Sequence, residues 1–68
     1  MKILELTRAY SKSPIAFNVD YIVHVEPVVI TNKDYTGDAR TYVYTINKME
    51  IMVKEDYETI VRTLAELK

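Results

Sequence analysis

Side chains able to do catalytic chemistry are few and scattered along this sequence. The single histidine, His24, lies in an apolar run, and the chain has no cysteine to complete a zinc site with it. Ser11 or Ser13, with His24 and Asp20, would supply a nucleophile, a base and an acid. The sequence has neither a strand–turn–helix elbow for the nucleophile nor a small-residue loop for an oxyanion. We therefore predict that the protein is not an enzyme, with no catalytic residue, metal or cofactor, and that His24 is a strand residue with local partners.

Two clusters of side chains with acidic groups were considered as metal or acid–base sites, and neither pattern predicts such a site. Asp34, Thr36 and Asp38 alternate around Gly37 as cation ligands do, but the segment is too short for an EF-hand and lacks its later glutamate. We interpret residues 32–38 as a solvated turn, because they are dense in turn-forming residue types. The second group surrounds the start of a predicted helix, where carboxylates favour the positive end of the helix dipole: Glu50, Glu55, Asp56 and Glu58.

Tyrosine is the residue type that most favours a binding surface, with six in the 68 residues. Arg40, Tyr42 and Tyr44 are two residues apart, so a strand through them places all three on one face. Tyrosine rings anchor protein partners or stack on nucleic-acid bases, although cross-strand packing is an alternative role for most of them. We predict a partner-binding surface made of Arg8, Lys33, Tyr35, Arg40, Tyr42 and Tyr44.

The charge of the chain narrows the choice of partner. Nine Lys and Arg against ten Asp and Glu give a net charge of −1, so no overall positive field attracts nucleic acid. The basic residues lie mostly before the acidic helix segment, so a local face could bind an acidic protein or single-stranded nucleic acid. We predict a non-catalytic protein-binding adaptor or regulatory module that acts through an exposed β-edge or Tyr/Arg face. The alternative is a small β-domain that binds single-stranded nucleic acid (RNA).

Length and hydropathy predict the domain organisation and the compartment. At 68 residues, the chain has room for one hydrophobic core, and we predict a single domain over residues 1–68. So small a core gains burial by self-association, which makes a homo-oligomer a further candidate. No run of 18 apolar residues occurs, and the absence of cysteine fits a reducing compartment. We expect a cytoplasmic protein with no membrane span.

Alternation of apolar and polar residues predicts β-structure over the first three quarters of the chain. Asn18-Val19-Asp20 indicates a kink, and Pro27 a break or an edge position. The predicted strands cover residues 2–9, 15–19, 40–46 and 49–53, with two strands or one bent strand over 21–25 and 28–31. A tight hairpin at Asn47-Lys48 joins the last two strands.

The period then changes from two to 3.6 residues, which predicts a C-terminal helix with Asp56 as its N-cap. One apolar stripe is expected to fasten it to the sheet: Tyr57, Ile60, Val61, Leu64 and Leu67. The predicted fold class is α+β, a small twisted antiparallel sheet of four to five strands, partly barrel-like, with one C-terminal amphipathic helix.

Short segments along nearly the whole chain resemble a known family. They are Ile3-Leu4-Glu5-Leu6-Thr7-Arg8, Ile15-Ala16-Phe17-Asn18, Asp20-Tyr21-Ile22, Val25-Glu26-Pro27 and Ile51-Met52-Val53-Lys54-Glu55. This order resembles the small β-rich proteins of the FlbD-like flagellar and swarming-motility family and related small bacterial and phage proteins. The resemblance implies a fold more than an activity. The first strand ending in Arg and the terminal helix are also similar to carbon-storage-regulator RNA-binding proteins, whose glycine-rich spacing is missing here.

Overall fold

The α+β class is confirmed by a computed structural model, which describes residues 2–29 and 37–67. The elements are β1 (Ile3–Thr7), β2 (Pro14–Asn18), β3 (Ile22–Pro27), β4 (Thr41–Thr45), β5 (Glu50–Val53) and α1 (Tyr57–Leu67). A 3-10 turn, Val19–Tyr21, separates β2 from β3 at the predicted kink. The helix has 11 residues, and no helix in the described part of the chain is long and apolar enough to cross a membrane.

The strands are divided between two antiparallel sheets, whereas a single sheet of four to five strands was predicted. β1 pairs with β2, and β4 lies between β3 and β5. The Asn18 side chain accepts a hydrogen bond from the Asp20 amide, at 3.0 Å, and this holds the 3-10 turn that separates β3 from the β1–β2 hairpin. The two sheets meet at an isolated bridge between Arg8 and Val53. The predicted barrel-like character is not shown by this arrangement.

The hydrophobic core combines residues from both sheets and the helix. Alternation along β1 places Leu4 and Leu6 inward, as the sequence indicated, with 6% and 4% of their surfaces exposed. On the central strand β4, Thr41 and Val43 point inward, and both are completely buried. The Thr41 hydroxyl donates a 2.8 Å hydrogen bond to the Glu55 carbonyl, so this buried polar group is satisfied. The main cluster consists of Leu4, Leu6, Phe17, Val19, Val43, Val53 and Ile60.

The helix begins as predicted but buries a narrower stripe. The Asp56 carbonyl accepts the Ile60 amide at 3.2 Å, which places Asp56 at the N-cap. Ile60 is 1% exposed, and Leu64 and Leu67 pack half-buried against the core. The other two stripe positions are more open, with Tyr57 at 37% and Val61 at 40% exposure. An 11-residue helix on a small sheet is covered along one line only, so residues at the stripe's margin stay in contact with solvent.

The β4–β5 hairpin was predicted correctly, but its loop is one residue longer than Asn47-Lys48. The Thr45 amide donates to the Met49 carbonyl at 3.1 Å, which leaves residues 46–48 as the loop. The Lys48 amide donates to the Thr45 carbonyl at 3.0 Å, and Lys48 has a φ of 66°. This is a three-residue hairpin with a left-handed residue at its end, a position that glycine usually fills.

Candidate binding face of the three-stranded sheet

The face of the three-stranded sheet that points away from the core carries the candidate site. Because Val43 points inward, its neighbours Tyr42 and Tyr44 point outward from the central strand. Strand register then places one residue of β3 and one of β5 beside each tyrosine. We call the resulting set the Tyr face: His24, Glu26, Tyr42, Tyr44, Glu50 and Met52.

Aromatic rings occupy the middle of the Tyr face. His24 stacks on Tyr44, with ring centroids 4.3 Å apart and ring planes 18° apart. Tyr42 contacts Tyr44 in a tilted arrangement, with centroids 6.3 Å apart and planes 40° apart. Both tyrosines are half-buried, and His24 is exposed. The result is a semi-rigid aromatic surface that is open to solvent, of the kind that anchors protein partners.

Two carboxylates set the electrostatic character of this surface. Partial burial, a hydrogen bond to Glu50 and the negative charges of Glu50 and Glu26 raise the pKa of Tyr44 to about 12. The His24 Nε2 atom lies 3.7 Å from a carboxylate oxygen of Glu26. Tyr44 therefore stays neutral at physiological pH, and the negative charge on the Tyr face comes from Glu26 and Glu50.

Exposed apolar side chains lie at the end of the three-stranded sheet that carries the β4–β5 hairpin. The Ile46 amide donates to the Tyr21 carbonyl at 2.9 Å, so the start of β3 lies beside the hairpin loop. Val23 occupies a register irregularity in β3 at the same end of the sheet. Tyr21, Val23, Ile46 and Met49 are 52–59% exposed, and we call these four residues the hairpin-end cluster. Met49 pairs with Thr45, so alternation places it on the side of the sheet opposite Tyr44, and the cluster belongs to the end of the sheet.

The structure brings together only part of the predicted partner-binding set. Tyr42 and Tyr44 are neighbours, and Arg40 precedes them on the chain; an Arg40 guanidinium nitrogen donates to the Gly37 carbonyl at 2.7 Å. Arg8 follows β1, where its guanidinium donates to the Ser13 hydroxyl and the Pro14 carbonyl, and its bridge to Val53 places it beside β5. Lys33 and Tyr35 lie outside the described residues.

Four members of the Tyr face were missed by the sequence interpretation: His24, Glu26, Glu50 and Met52. Each is a cross-strand neighbour of Tyr42 or Tyr44, and none is close to them in sequence. Pairing the predicted β4–β5 hairpin in register would have identified Glu50 and Met52. His24 and Glu26 could not have been found in this way, because their strand reaches β4 across a long connection.

The structure describes part of the serine–histidine and cation-loop sites that were considered from the sequence. The Ser11 and Ser13 hydroxyls bond each other at 2.8 Å, and within residues 2–29 no hydrogen bond joins either one to His24. Asp38 pairs with Lys12 at 3.5 Å, whereas Asp34 and Thr36 lie outside the described residues. Residues 2–29 and 37–67 contain no group of three metal-ligating side chains.

A shallow groove lies beside β5, next to the Tyr face. It has a volume of about 320 Å³ and opens widely to solvent. One wall is formed by the turn after β1, including Tyr10, and the other by β5. Glu50 and Met52 belong to both the groove and the Tyr face. The complete lining is Arg8, Ala9, Tyr10, Ser11, Glu50, Ile51 and Met52.

Comparison with known proteins adds no relative to this description. No protein-family model, no curated protein and no solved structure matches the chain. The resemblance to the FlbD-like family therefore stays a prediction from the sequence, and the geometry of the site has to support any functional conclusion by itself.

Proposed function

We propose that this protein is a non-catalytic adaptor or regulatory module that binds another protein through the Tyr face. The observation that carries the proposal is the solvent-open aromatic surface made by His24, Tyr42 and Tyr44, and the exposed hairpin-end cluster lies at one end of the same sheet. Aromatic residues at the centre of a patch, bordered by charges, are the usual composition of a protein-binding surface. The neighbouring core supports the face from behind, since Thr41 and Val43 of the same strand are completely buried.

The charges on the Tyr face favour a partner with Lys or Arg at its surface. The sequence interpretation combined Arg40 with the two tyrosines and favoured an acidic partner or RNA. Register places Glu26 and Glu50 beside the tyrosines, and the single positive charge of Arg40, whose guanidinium donates to the Gly37 carbonyl, does not balance these two carboxylates. Partners of opposite charge are attracted over about a Debye length, so we expect binding to weaken as salt rises.

RNA binding is the second function considered from sequence, and the same carboxylates argue against it. Bases would have to stack on Tyr42 or Tyr44 while the phosphates approach Glu26 and Glu50. Nucleic-acid surfaces surround such stacking residues with Lys and Arg, which neutralise the backbone. Gel shifts with pooled RNA and single-stranded DNA at low salt test this alternative, and micromolar binding would favour it over a protein partner.

We also propose that the two sheets form a partly closed barrel, as predicted from the sequence. Where the sheets meet, the Ala9 amide donates to the Met52 carbonyl and the Lys54 amide donates to the Thr7 carbonyl, each at 3.0 Å. These contacts support a curved arrangement in which β1 follows β5, so that the Tyr face is the outer surface of a partly closed barrel. Such curvature would hold the Tyr face outward for a partner.

Site-specific photo-crosslinking tests the proposed function directly. A benzoylphenylalanine at position 42 replaces an aromatic side chain by another, and the same group at Glu58, an exposed helix residue, is the matched control. We expect position 42 to crosslink one protein reproducibly in the native cell, and position 58 not to capture that protein. Crosslinking at position 42 to nucleic acid, or no crosslink that position 58 lacks, would contradict the proposal.

A further inference from the structure

The hydrogen-bond directions along β5 identify a segment of open strand edge. The carbonyl of Met49 accepts the Thr45 amide, so this residue directs its polar backbone atoms toward β4. In an antiparallel strand the direction alternates from one residue to the next. Glu50, the next residue, therefore directs its N–H and C=O away from β4, toward the groove.

The chain covers this second edge of β5 only in part. The Met52 carbonyl points away from β4, as the N–H and C=O of Glu50 do, and it accepts the Ala9 amide at 3.0 Å. After Ala9 the chain turns away, and the Lys12 amide donates back to the Arg8 carbonyl at 3.2 Å. Among residues 2–29 and 37–67, no backbone hydrogen bond occupies the outward N–H and C=O of Glu50. The groove of about 320 Å³ lies at this position.

We propose that this edge binds an extended segment of the partner protein by strand addition, with a Lys or Arg of the partner opposite Glu50 and apolar residues on either side of it. The inference rests on the proposed function and specifies how the partner is held. An added residue opposite Glu50 exchanges two backbone hydrogen bonds with it, as in other cases of β-augmentation. The groove then becomes the place where the added strand continues the sheet.

The side-chain pattern of the partner follows from sheet geometry. A residue paired with Glu50 directs its side chain to the same side of the sheet, toward the Tyr face, where a cation would meet the Glu50 carboxylate. The residues before and after it point to the opposite side, near Ile51, which lines the groove and is half-buried. Tyr10, at 62% exposure, borders the groove on its outer side. The expected partner segment alternates apolar and basic residues.

The positive charge of Arg8 at the groove does not change the expectation of a basic partner residue opposite Glu50. The Arg8 guanidinium also borders the groove, but it is held by the Ser13 hydroxyl at 3.0 Å and the Pro14 carbonyl at 3.1 Å. Glu50 pairs across the strands with Tyr44, and its carboxylate has lone pairs for further donors. Both acceptors are neutral, so Arg8 keeps its positive charge, but they direct its guanidinium toward the β1–β2 turn; the charge on the edge residue itself is the negative charge of Glu50.

The test uses a fluorescein-labelled peptide of alternating valine and lysine, seven residues long, and fluorescence anisotropy with the full chain at low salt. Two substitutions at one position separate the backbone contribution from the charge. Glu50→Gln removes the charge and keeps the N–H, and Glu50→Pro removes both. Proline is tolerated here because the N–H of Glu50 does not bond β4. Glu58→Gln is the control, since it removes an exposed carboxylate on the helix.

We expect Glu50→Gln to weaken peptide binding ~3-fold and Glu50→Pro ~10-fold or more, with Glu58→Gln unchanged, from the worth of one ion pair and one hydrogen bond. If circular dichroism shows that Glu50→Pro is unfolded, wild-type protein is titrated with the same peptide N-methylated at its lysine residues, whose N–H groups would bond Glu50. We expect the N-methylated peptide, which cannot pair along its methylated edge, to bind at least ~10-fold more weakly.

Three results would overturn the strand-addition proposal: no binding of the peptide to wild type, equal binding by Glu50→Gln and Glu50→Pro, or no effect of N-methylation. A wild-type dimer in sedimentation equilibrium that Glu50→Pro converts to monomer would also overturn it, because the occupant would then be a second copy of this chain. The Tyr42 crosslink is independent of all four results. If it persists when the peptide test fails, the protein-binding function stands and only the edge geometry is wrong.

Discussion

Truncating two adjacent helix residues, Ile60→Ala and Val61→Ala, tests how the helix is docked. Ile60 is 1% exposed and Val61 is 40% exposed, although a helical stripe drawn from the sequence includes both. Ile60→Ala removes three buried carbon atoms worth ~0.8 kcal/mol each, and the remaining cavity raises the expected loss to about 2–5 kcal/mol. Val61→Ala removes two partly covered carbons worth about 1 kcal/mol, and the higher helix propensity of alanine offsets about half of that.

Urea denaturation followed by circular dichroism at 222 nm measures both losses. A chain of 68 residues is expected to have a free energy of unfolding of about 3–10 kcal/mol, so Ile60→Ala removes a large part of it. With a slope near 1 kcal/mol per M urea, the midpoint should fall by about 2 M or more for Ile60→Ala and by about 0.5 M for Val61→Ala. If Ile60→Ala is already unfolded without urea, Ile60→Val should lower stability by about 0.5–1.5 kcal/mol. Equal losses at positions 60 and 61 would refute the docking described here.

Three other substitutions test single interactions. Thr41→Val should lower the free energy of unfolding by about 1–3 kcal/mol in urea titrations, because it leaves the Glu55 carbonyl without its buried donor; a change below about 0.5 kcal/mol would mean that water replaces the hydroxyl. Lys48→Gly should raise the melting temperature by several degrees, about 0.5–1 kcal/mol, because glycine adopts a φ of 66° without steric cost; an unchanged or lower melting temperature would contradict the hairpin geometry. Glu50→Gln should bring the pKa of Tyr44 down from about 12 toward the ordinary tyrosine value, as followed by the ¹³Cζ chemical shift, and an unchanged pKa would mean that burial and Glu26 raise it without Glu50.

Local patterns predicted much of the secondary structure. Alternation identified β1, β2 and the β4–β5 hairpin, and the change of period identified α1 with Asp56 at its N-cap. The Asn18-Val19-Asp20 kink became a 3-10 turn held by Asn18. All of these depend on interactions between residues close in sequence, which a pattern of residue types records. The predicted strand over residues 28–31 lies partly outside the described residues, and β3 ends at Pro27.

The candidate site was predictable only within one strand. Tyr42 and Tyr44 share a face because strand alternation requires it, whereas the position of Arg8 relative to them depends on its bridge to Val53 between the two sheets. Arg8 lies in the turn between β1 and β2, where it donates to Ser13 and Pro14. Glu26, which changes the charge of the face, reaches it only through pairing of β3 with β4 across a long connection. No short-range pattern records such a pairing.

The sequence by itself determined where strands and helix form, and which residues of each strand share a side, because these follow from the backbone periods of two and 3.6 residues. Tertiary structure alone decided how the strands divide into two sheets and which stripe residues of the helix are covered. It also decided that two carboxylates border the tyrosines and that, among the described residues, none bonds the outward backbone groups of Glu50 on β5. These features depend on contacts between distant segments, whose partners are selected by the packing of the whole core.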